Sequence, residues 1–256
     1  MTDSRDLVKK QFGAHASDYM TSKAHAQGES LTRLTDLTQP QRDWLVLDVS
    51  TGAGHTALTF APRVARVIAT DLTPQMLDAA RRMAEERHIT NVEFAPADAH
   101  ALSFDDDTFD LVTNRIALHH YPDARRAVKE MARVCKRGGI VALVDNVVPL
   151  DAHASRYINE FETLRDPSHH WAHCLIDLLG YFAEAPLRVE HRECLPKEME
   201  FTPWATRMGA SPETTATLRR LLLEAPAAVR DALTPRFDGE RLFFTLTEAI
   251  LIGRKP

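Results

Sequence analysis

Two adjacent histidines, His119 and His120, stand in the segment Asn114-Arg115-Ile116-Ala117-Leu118-His119-His120-Tyr121-Pro122, just past the apolar run from Phe109 to Thr113. Imidazole changes protonation near neutral pH. A histidine at a strand end is therefore a candidate base for a nucleophile that must lose a proton. Aspartates form a second pattern. Asp48 closes the run Leu45-Val46-Leu47 and leads, through Val49, into the small-residue turn Ser50-Thr51-Gly52-Ala53-Gly54. Glycine lets a backbone approach a ligand where a Cβ would collide. Asp71 ends the next apolar run, about 20 residues beyond the glycines, where a carboxylate can accept both hydroxyls of a ribose. Asp98 follows a further run, in Ala97-Asp98-Ala99, where it can meet an adenine amino group. The chemistry implied is recognition of a nucleoside beside an acid–base group.

The elements that must position these groups alternate. Strands are expected over the run Trp44–Asp48 and over Val64–Thr70, Asn91–Ala95, Phe109–Thr113 and Ile140–Val144. Helices are expected at His55–Phe60, from Thr73-Pro74 with Met76, Leu77, Ala80, Met83 and Ala84 on one face, and from Asp123 with Ala127, Val128, Met131, Val134 and Cys135 inward. Lys136-Arg137 suit the dipole at the end of that last helix, and Gly138-Gly139 its stop. Alternating strands and helices imply a parallel sheet covered on both faces. Beyond Asn146 a helix is expected over Asp151–Leu164 and a second from Asp166-Pro167 to about Gly180. Strands follow at Arg188–Cys194 and Leu242–Ile252, around a helical stretch from Pro203 to Ala232 broken at Pro212 and Pro226. The segment before Trp44 reads as helical and could lie over the mouth of the site.

The chain has 256 residues, 44% apolar and 26% charged, with a net charge of −5. That is ordinary for a soluble α/β domain and leaves no broad basic face for nucleic acid. No apolar run reaches the length of a membrane span, and Met1 to Asp6 lack the apolar core of a signal peptide. Cys135, Cys174 and Cys194 form no close-spaced motif, which fits a reducing cytoplasm.

A dinucleotide fingerprint needs G-x-G-x-x-G, and here the three positions hold Ser50, Gly52 and His55. An NAD-linked oxidoreductase is thereby disfavoured. In order and spacing, residues 45–146 resemble instead the class I S-adenosylmethionine-dependent methyltransferases. Leu47 to Gly54 look like that family's first motif, and Ala69-Thr70-Asp71-Leu72-Thr73-Pro74-Gln75-Met76-Leu77 like its ribose segment. Ala97 to Phe104 look like the adenine segment, Phe109 to Arg115 like the fourth strand, and Arg137-Gly138-Gly139 like the turn before the fifth. Ser50 departs from the pattern, which usually has its first glycine there. Within the class the chain is most similar to the small-molecule group that includes ubiquinone and menaquinone biosynthesis methyltransferases.

The resemblance implies a doubly wound α/β fold with a seven-stranded sheet in the order 3-2-1-4-5-7-6, strand 7 antiparallel. The chain is then one methyltransferase domain. Residues 1–43 are a helical cover, 44–146 the cofactor-binding core, and 147–256 a substrate lid, the last two strands and a helical insertion before the final strand. It also implies S-adenosylmethionine as cofactor, with S-adenosylhomocysteine as product. Asp48, Ser50, Thr51, Gly52, Gly54, Asp71, Leu72, Met76, Asp98, Ala99, Asn114 and Arg115 are the expected cofactor residues. Tyr19 joins them from Phe12-Gly13-Ala14-His15-Ala16-Ser17-Asp18-Tyr19, which resembles the group's leading segment.

The acceptor is expected to be a small organic molecule methylated on oxygen, carbon or nitrogen. His119 and His120 are the catalytic candidates, and Asp145, Arg165, His169 and Trp204 the substrate contacts. His169 and His173, four apart, could share a helical face near Cys174 and Asp177, but no second half of a metal-ligand pattern appears, and no metal is expected. The rival readings are a methyltransferase acting on RNA or protein, and a binding protein that keeps the cofactor without chemistry. Oligomeric state is not legible.

Overall fold

The computed structural model describes residues 4–20 and 28–256, and side chains for 5–13 and 28–256. The chain opens with helices α1 (Ser4–Met20) and α2 (Glu29–Thr38). The side chain of Tyr19, an expected cofactor contact, lies outside the described residues.

Strand and helix then alternate: β1 (Leu45–Val49), α3 (His55–Phe60), β2 (Arg66–Asp71), α4 (Pro74–Glu86), β3 (Val92–Pro96), β4 (Phe109–Arg115), α5 (Ala124–Val134) and β5 (Cys135–Val147). A 3-10 turn, Leu118–His120, separates β4 from α5. The second part of the chain contributes α6 (Ala152–Arg165), α7 (Leu175–Glu184), β6 (Arg188–Glu200), α8 (Phe201–Thr206), α9 (Pro212–Leu223), α10 (Ala227–Leu233), β7 (Arg236–Asp238) and β8 (Arg241–Arg254).

The sheet runs β3-β2-β1-β4-β5-β8-β6. Strands β1 to β5 are parallel, and β8 runs antiparallel between β5 and β6. This is the expected order, with β8 as the expected seventh strand. The sheet nevertheless has eight strands, because the short β7 folds back on β8 as a hairpin. Its three residues are all exposed, so they carry no apolar pattern by which the sequence could announce a strand.

Strands covered on both faces read as continuous apolar runs, and Val46, Leu47, Leu111, Val112, Val141 and Leu143 are all fully buried. The inward face expected for α4 is buried as a set. A separate apolar cluster lies under the insertion, where Phe161 of α6 stacks on Trp204 of α8 at 4.9 Å and Phe244 of β8 meets Trp204 edge-on. A fully buried large side chain contributes about 1.5–3 kcal/mol, so this cluster is the main anchor of the insertion to the sheet.

Two expected helix ends are corrected. Helix α5 stops at Val134, and Cys135 already pairs with Phe109 as the first residue of β5. Lys136-Arg137 and Gly138-Gly139 therefore lie within a bulged strand and do not close a helix. Lys136 binds Asp110 at 2.7 Å, and Gly138 takes a φ of +76°. Asp166-Pro167 start no helix either. Asp166 accepts hydrogen bonds from the N–H and the hydroxyl of Ser168 (2.9 and 2.6 Å), which closes a local turn. The helix begins only at Leu175, behind Cys174 and its reciprocal partner Asp177. His169 and His173 consequently share no helical face.

Candidate active site

Asp48 shapes the turn after β1 from below. Its Oδ2 accepts from the Thr51 hydroxyl (2.6 Å) and the Ala57 N–H (3.2 Å), and its Oδ1 from the Thr113 hydroxyl (2.7 Å). Burial pushes its carboxyl up to about 6, against the pull of those bonds. The turn above it reverses hand three times, with φ of +56° at Ser50, +55° at Gly52 and +89° at Gly54. At Gly54 a Cβ would also stand 3.0 Å from that of Ala80, so this glycine lets α4 pack on the turn. At Gly52 a Cβ would meet nothing within 4 Å. Its open side belongs to a cavity that runs along the strand ends and spans about 1330 Å³ together with its solvent-filled mouth.

Ser50, Thr51, Gly52, Asp71, Leu72, Met76, Asp98, Ala99 and Arg115 all line this cavity. Asp48, Gly54 and Asn114 stand behind its wall and support it. Asp71, at the end of β2, accepts from the N–H groups of Gly52 and Thr73, both at 2.9 Å, and burial raises its carboxyl above the usual range. An ionised carboxylate offers about four acceptor sites, so acceptor capacity remains toward the cavity. Thr73 stands at the N-cap of α4, but its hydroxyl makes no cap bond. Asp98 takes the N–H and Nδ1 of His100 (2.9 and 2.7 Å) and the guanidinium of Arg5 in α1 (2.8 Å). Burial opposes its ionisation, but His100 and Arg5 outweigh that and hold it low.

At the other end of the cavity the 3-10 turn carries His119 and His120. His119 donates from Nδ1 to Asp145 Oδ1 at 2.5 Å, and its backbone N–H reaches Asp145 Oδ2 at 3.1 Å. Burial disfavours an imidazolium there, but the charge and hydrogen bond of Asp145 prevail, so His119 titrates above the ordinary histidine range and Asp145 below that of a carboxylate. His120 points Nδ1 at the carbonyl of Ser168 (3.0 Å) and meets Phe12 of α1 edge-on at 4.9 Å. Burial, then the neighbouring charge of His119, pushes it down to about 4. Carboxylate and carbonyl can only accept. Each ring therefore carries its proton on Nδ1 and leaves Nε2 as the acceptor when neutral.

Asp145 and His169 do not line the cavity. Asp145 acts on it through His119, and His169 packs behind, 5.4 Å from the His119 ring, donating from Nε2 to Asn159 at 2.8 Å. Burial keeps His169 neutral far below the usual histidine range. Arg165 and Trp204 do line it. The guanidinium lies 4.9 Å over the indole and binds Glu162 at 3.2 Å.

Several lining residues escaped the sequence reading: Tyr121, Glu162, Lys197 and Arg207. Lys197 of β6 pairs with Glu248 of β8 at 2.5 Å, and both are largely buried. Glu248 falls inside an expected strand, but Lys197 lies beyond Cys194, where the expected strand ends and β6 continues to Glu200. Tyr121 had no signal beyond its place next to His120.

Among the described residues no helix is long and apolar enough to cross a membrane. A family model described as a methyltransferase domain matches residues 47–143. Over 246 residues the chain is 33% identical to the uncharacterised methyltransferase YcgJ of Bacillus subtilis, covering 95% of this chain and 97% of YcgJ. It is 35% identical over 121 residues to the ubiquinone/menaquinone biosynthesis C-methyltransferase UbiE of Idiomarina loihiensis, covering 46% of this chain and 48% of that one. Among solved structures, BH2331 of Bacillus halodurans superposes with a TM-score of 0.85 at 34% identity, covering 90% of this chain and 100% of that one. YcgJ superposes at 0.82, covering 88% of this chain and 97% of that one.

Proposed function

Since the chain belongs to the class I S-adenosylmethionine-dependent methyltransferases, we propose that its acceptor is a small organic molecule, methylated by in-line displacement at the His119–His120 end of the cavity. The observation that carries this reading is the continuity of the cavity. Gly52, Asp71 and Asp98 bound one end of the same space that His119, His120, Arg165 and Trp204 bound at the other. The residues present fit the cofactor. Gly52 leaves open the room a Cβ would take, and two carboxylates stand at successive strand ends with acceptor capacity to spare. In this reading Asp71 holds the ribose and Asp98 the adenine.

When bound, S-adenosylmethionine supplies a methyl carbon on a positively charged sulfur, whose neutral sulfide leaves without help from an acid. Alignment with the reacting atoms about 3 Å apart then supplies much of the acceleration. His119 takes the proton of the acceptor nucleophile on Nε2, while Asp145 fixes the tautomer and stabilises the imidazolium that forms. His120 stays neutral beside it and accepts a hydrogen bond on Nε2. Trp204 and Arg165 present a flat cationic wall to the body of the acceptor. Phe12 and Arg5 of α1 close the cavity against water.

Calorimetry tests the donor half: S-adenosylmethionine and S-adenosylhomocysteine bind and NAD does not. Binding of neither sulfur compound would overturn the reading. Turnover on a panel of small phenols, amines and activated carbon acids, against RNA and denatured protein, tests the acceptor half.

A further inference from the structure

Ser50 stands at a φ of +56°, a conformation that costs a serine and not a glycine. What it gains is a 2.6 Å hydrogen bond between its Oγ and the hydroxyl of Tyr121, 71 residues away. The direction of that bond follows from the third member of the group. Asn114 Nδ2 donates to the carbonyl of Val49 at 2.9 Å, and a carbonyl only accepts, so the amide orientation is fixed. The same Nδ2 donates to the Tyr121 oxygen at 2.9 Å. Burial holds the Tyr121 hydroxyl protonated far above the ordinary phenol range. Its single hydrogen then has Ser50 Oγ as its partner. If Ser50 donated instead, the proton of Tyr121, the more deeply buried of the two hydroxyls, would be left without a protein partner. Ser50 thus accepts from Tyr121 and keeps its own hydrogen for the cavity, which it lines.

We infer that Ser50 is a directed hydrogen-bond donor to the amino-acid end of the bound cofactor, and that Tyr121 is the positioning residue that aims it. This rests on the proposed placement of the nucleoside. Asp98 and Asp71 stand at the ends of β3 and β2, and Ser50 and Tyr121 follow at the next step, beside β1 and β4. A ligand with its adenine at Asp98 and its ribose at Asp71 therefore brings its carboxylate-bearing tail to Ser50. Tyr121 directly follows His120, so the link also ties the cofactor turn to the loop that carries the histidines.

Ser50→Gly separates this role from a structural one, because glycine takes the same backbone conformation without strain. The backbone strain it relieves offsets the partner that Tyr121 loses, so the unfolding midpoint should stay within about 4 °C of the parent. Calorimetry should show S-adenosylhomocysteine binding about tenfold weaker, the loss expected for one hydrogen bond to a charged group. Binding of 5′-methylthioadenosine, which lacks the amino-acid tail, should be unchanged. Tyr121→Phe should weaken S-adenosylhomocysteine in the same direction, and the double variant should be no weaker than Ser50→Gly alone. Equal affinity of parent and Ser50→Gly for S-adenosylhomocysteine overturns the inference and leaves the proposed function intact. Equal losses for both ligands overturn it too, since the serine would then act on the nucleoside or on the turn itself. Absence of S-adenosylhomocysteine binding in the parent removes both readings together.

Discussion

At one end of the cavity Asp98 reaches His100 across two residues and Asp71 reaches Gly52 across 19. At the other, His120 meets Ser168 across 48 residues and Lys197 meets Glu248 across 51. The first end is made by consecutive strand–turn–helix units, each of which delivers its carboxylate where its own strand stops. The second is assembled by long-range ties among the 3-10 turn, the loop after α6, and strands β6 and β8. A residue at the first end thus shapes a turn and, in the proposed reading, holds a ligand as well, whereas at the second end most side chains are held in place by another segment. Ser50–Tyr121 is a direct side-chain contact between the two constructions.

The sharpest test of the acceptor end is His119. Its replacement by Gln keeps a similar volume but removes the base. Turnover should fall by about 10²–10⁴-fold, with S-adenosylhomocysteine affinity in calorimetry unchanged. Asp145→Asn should move the pH profile instead. A base must be deprotonated to act, so activity rises with pH through the pKa of His119, which Asp145 holds above the ordinary histidine range. Without that carboxylate's charge the limb should shift to lower pH while the plateau falls. A profile unmoved by Asp145→Asn would mean that His119 is not the titrating base.

Asp71→Ala should break the other end with a somewhat smaller effect. Its carboxylate is proposed to accept two ribose hydroxyls, and each such charged bond contributes about 1.5–3 kcal/mol. S-adenosylhomocysteine affinity should drop by about 10²-fold or more. The same variant also frees the N–H groups of Gly52 and Thr73, so part of the loss should appear as a lower unfolding midpoint of the free protein. That double signature belongs to the locally built end. His119→Gln should lower turnover and leave S-adenosylhomocysteine affinity unchanged.

This contrast also explains what the sequence made legible. Apolar runs closed by Asp48 and Asp71, and the glycines between them, set both the strand ends and the cavity wall built on them, so the fold and the proposed cofactor end could be read together. Asp166 misled because Asp-Pro suits a helix start, yet its carboxylate is spent on Ser168 within the loop. Gly138-Gly139 misled because a bulge and a helix stop both ask for a positive φ. Lys197 and Tyr121 stayed hidden because their partners, Glu248 and Ser50, are far along the chain and no local spacing links them. Arg165 and Trp204 were picked out by type alone, and the stacking that relates them is a product of the insertion's own core.

The smallest expected effect is a slope of stability against pH between about 4 and 6, where His120 at one end and Asp48 at the other should contribute with opposite signs. His120 is depressed from 6.5 to about 4 by burial. Between those values the unfolded chain binds the proton and the native protein does not, so stability from this group is present above pH 6.5 and is lost as pH falls toward 4. His169, depressed as well, adds to the same slope. Asp48 is raised from 3.8 to about 6. Between those values the native protein binds the proton and the unfolded chain does not, so its contribution is present below 3.8 and is lost as pH rises through 6. One fully differential proton changes stability by about 1.4 kcal/mol per pH unit. Denaturant unfolding at pH 4.5, 5.5 and 6.5 should therefore give a steeper rise with pH in Asp48→Asn than in the parent, and a flatter one in His120→Gln, whatever each substitution costs at a single pH. The Asp48 slope comes from a carboxylate closed in by Thr51 and Ala57, which follow it in the turn and α3, and by Thr113 of the neighbouring strand β4. The His120 slope comes from a ring enclosed by Phe12, Ser168 and His169, two of them from beyond α6. If the two variants tilt the curve the same way, the two ends are electrostatically one site and the division between them is wrong.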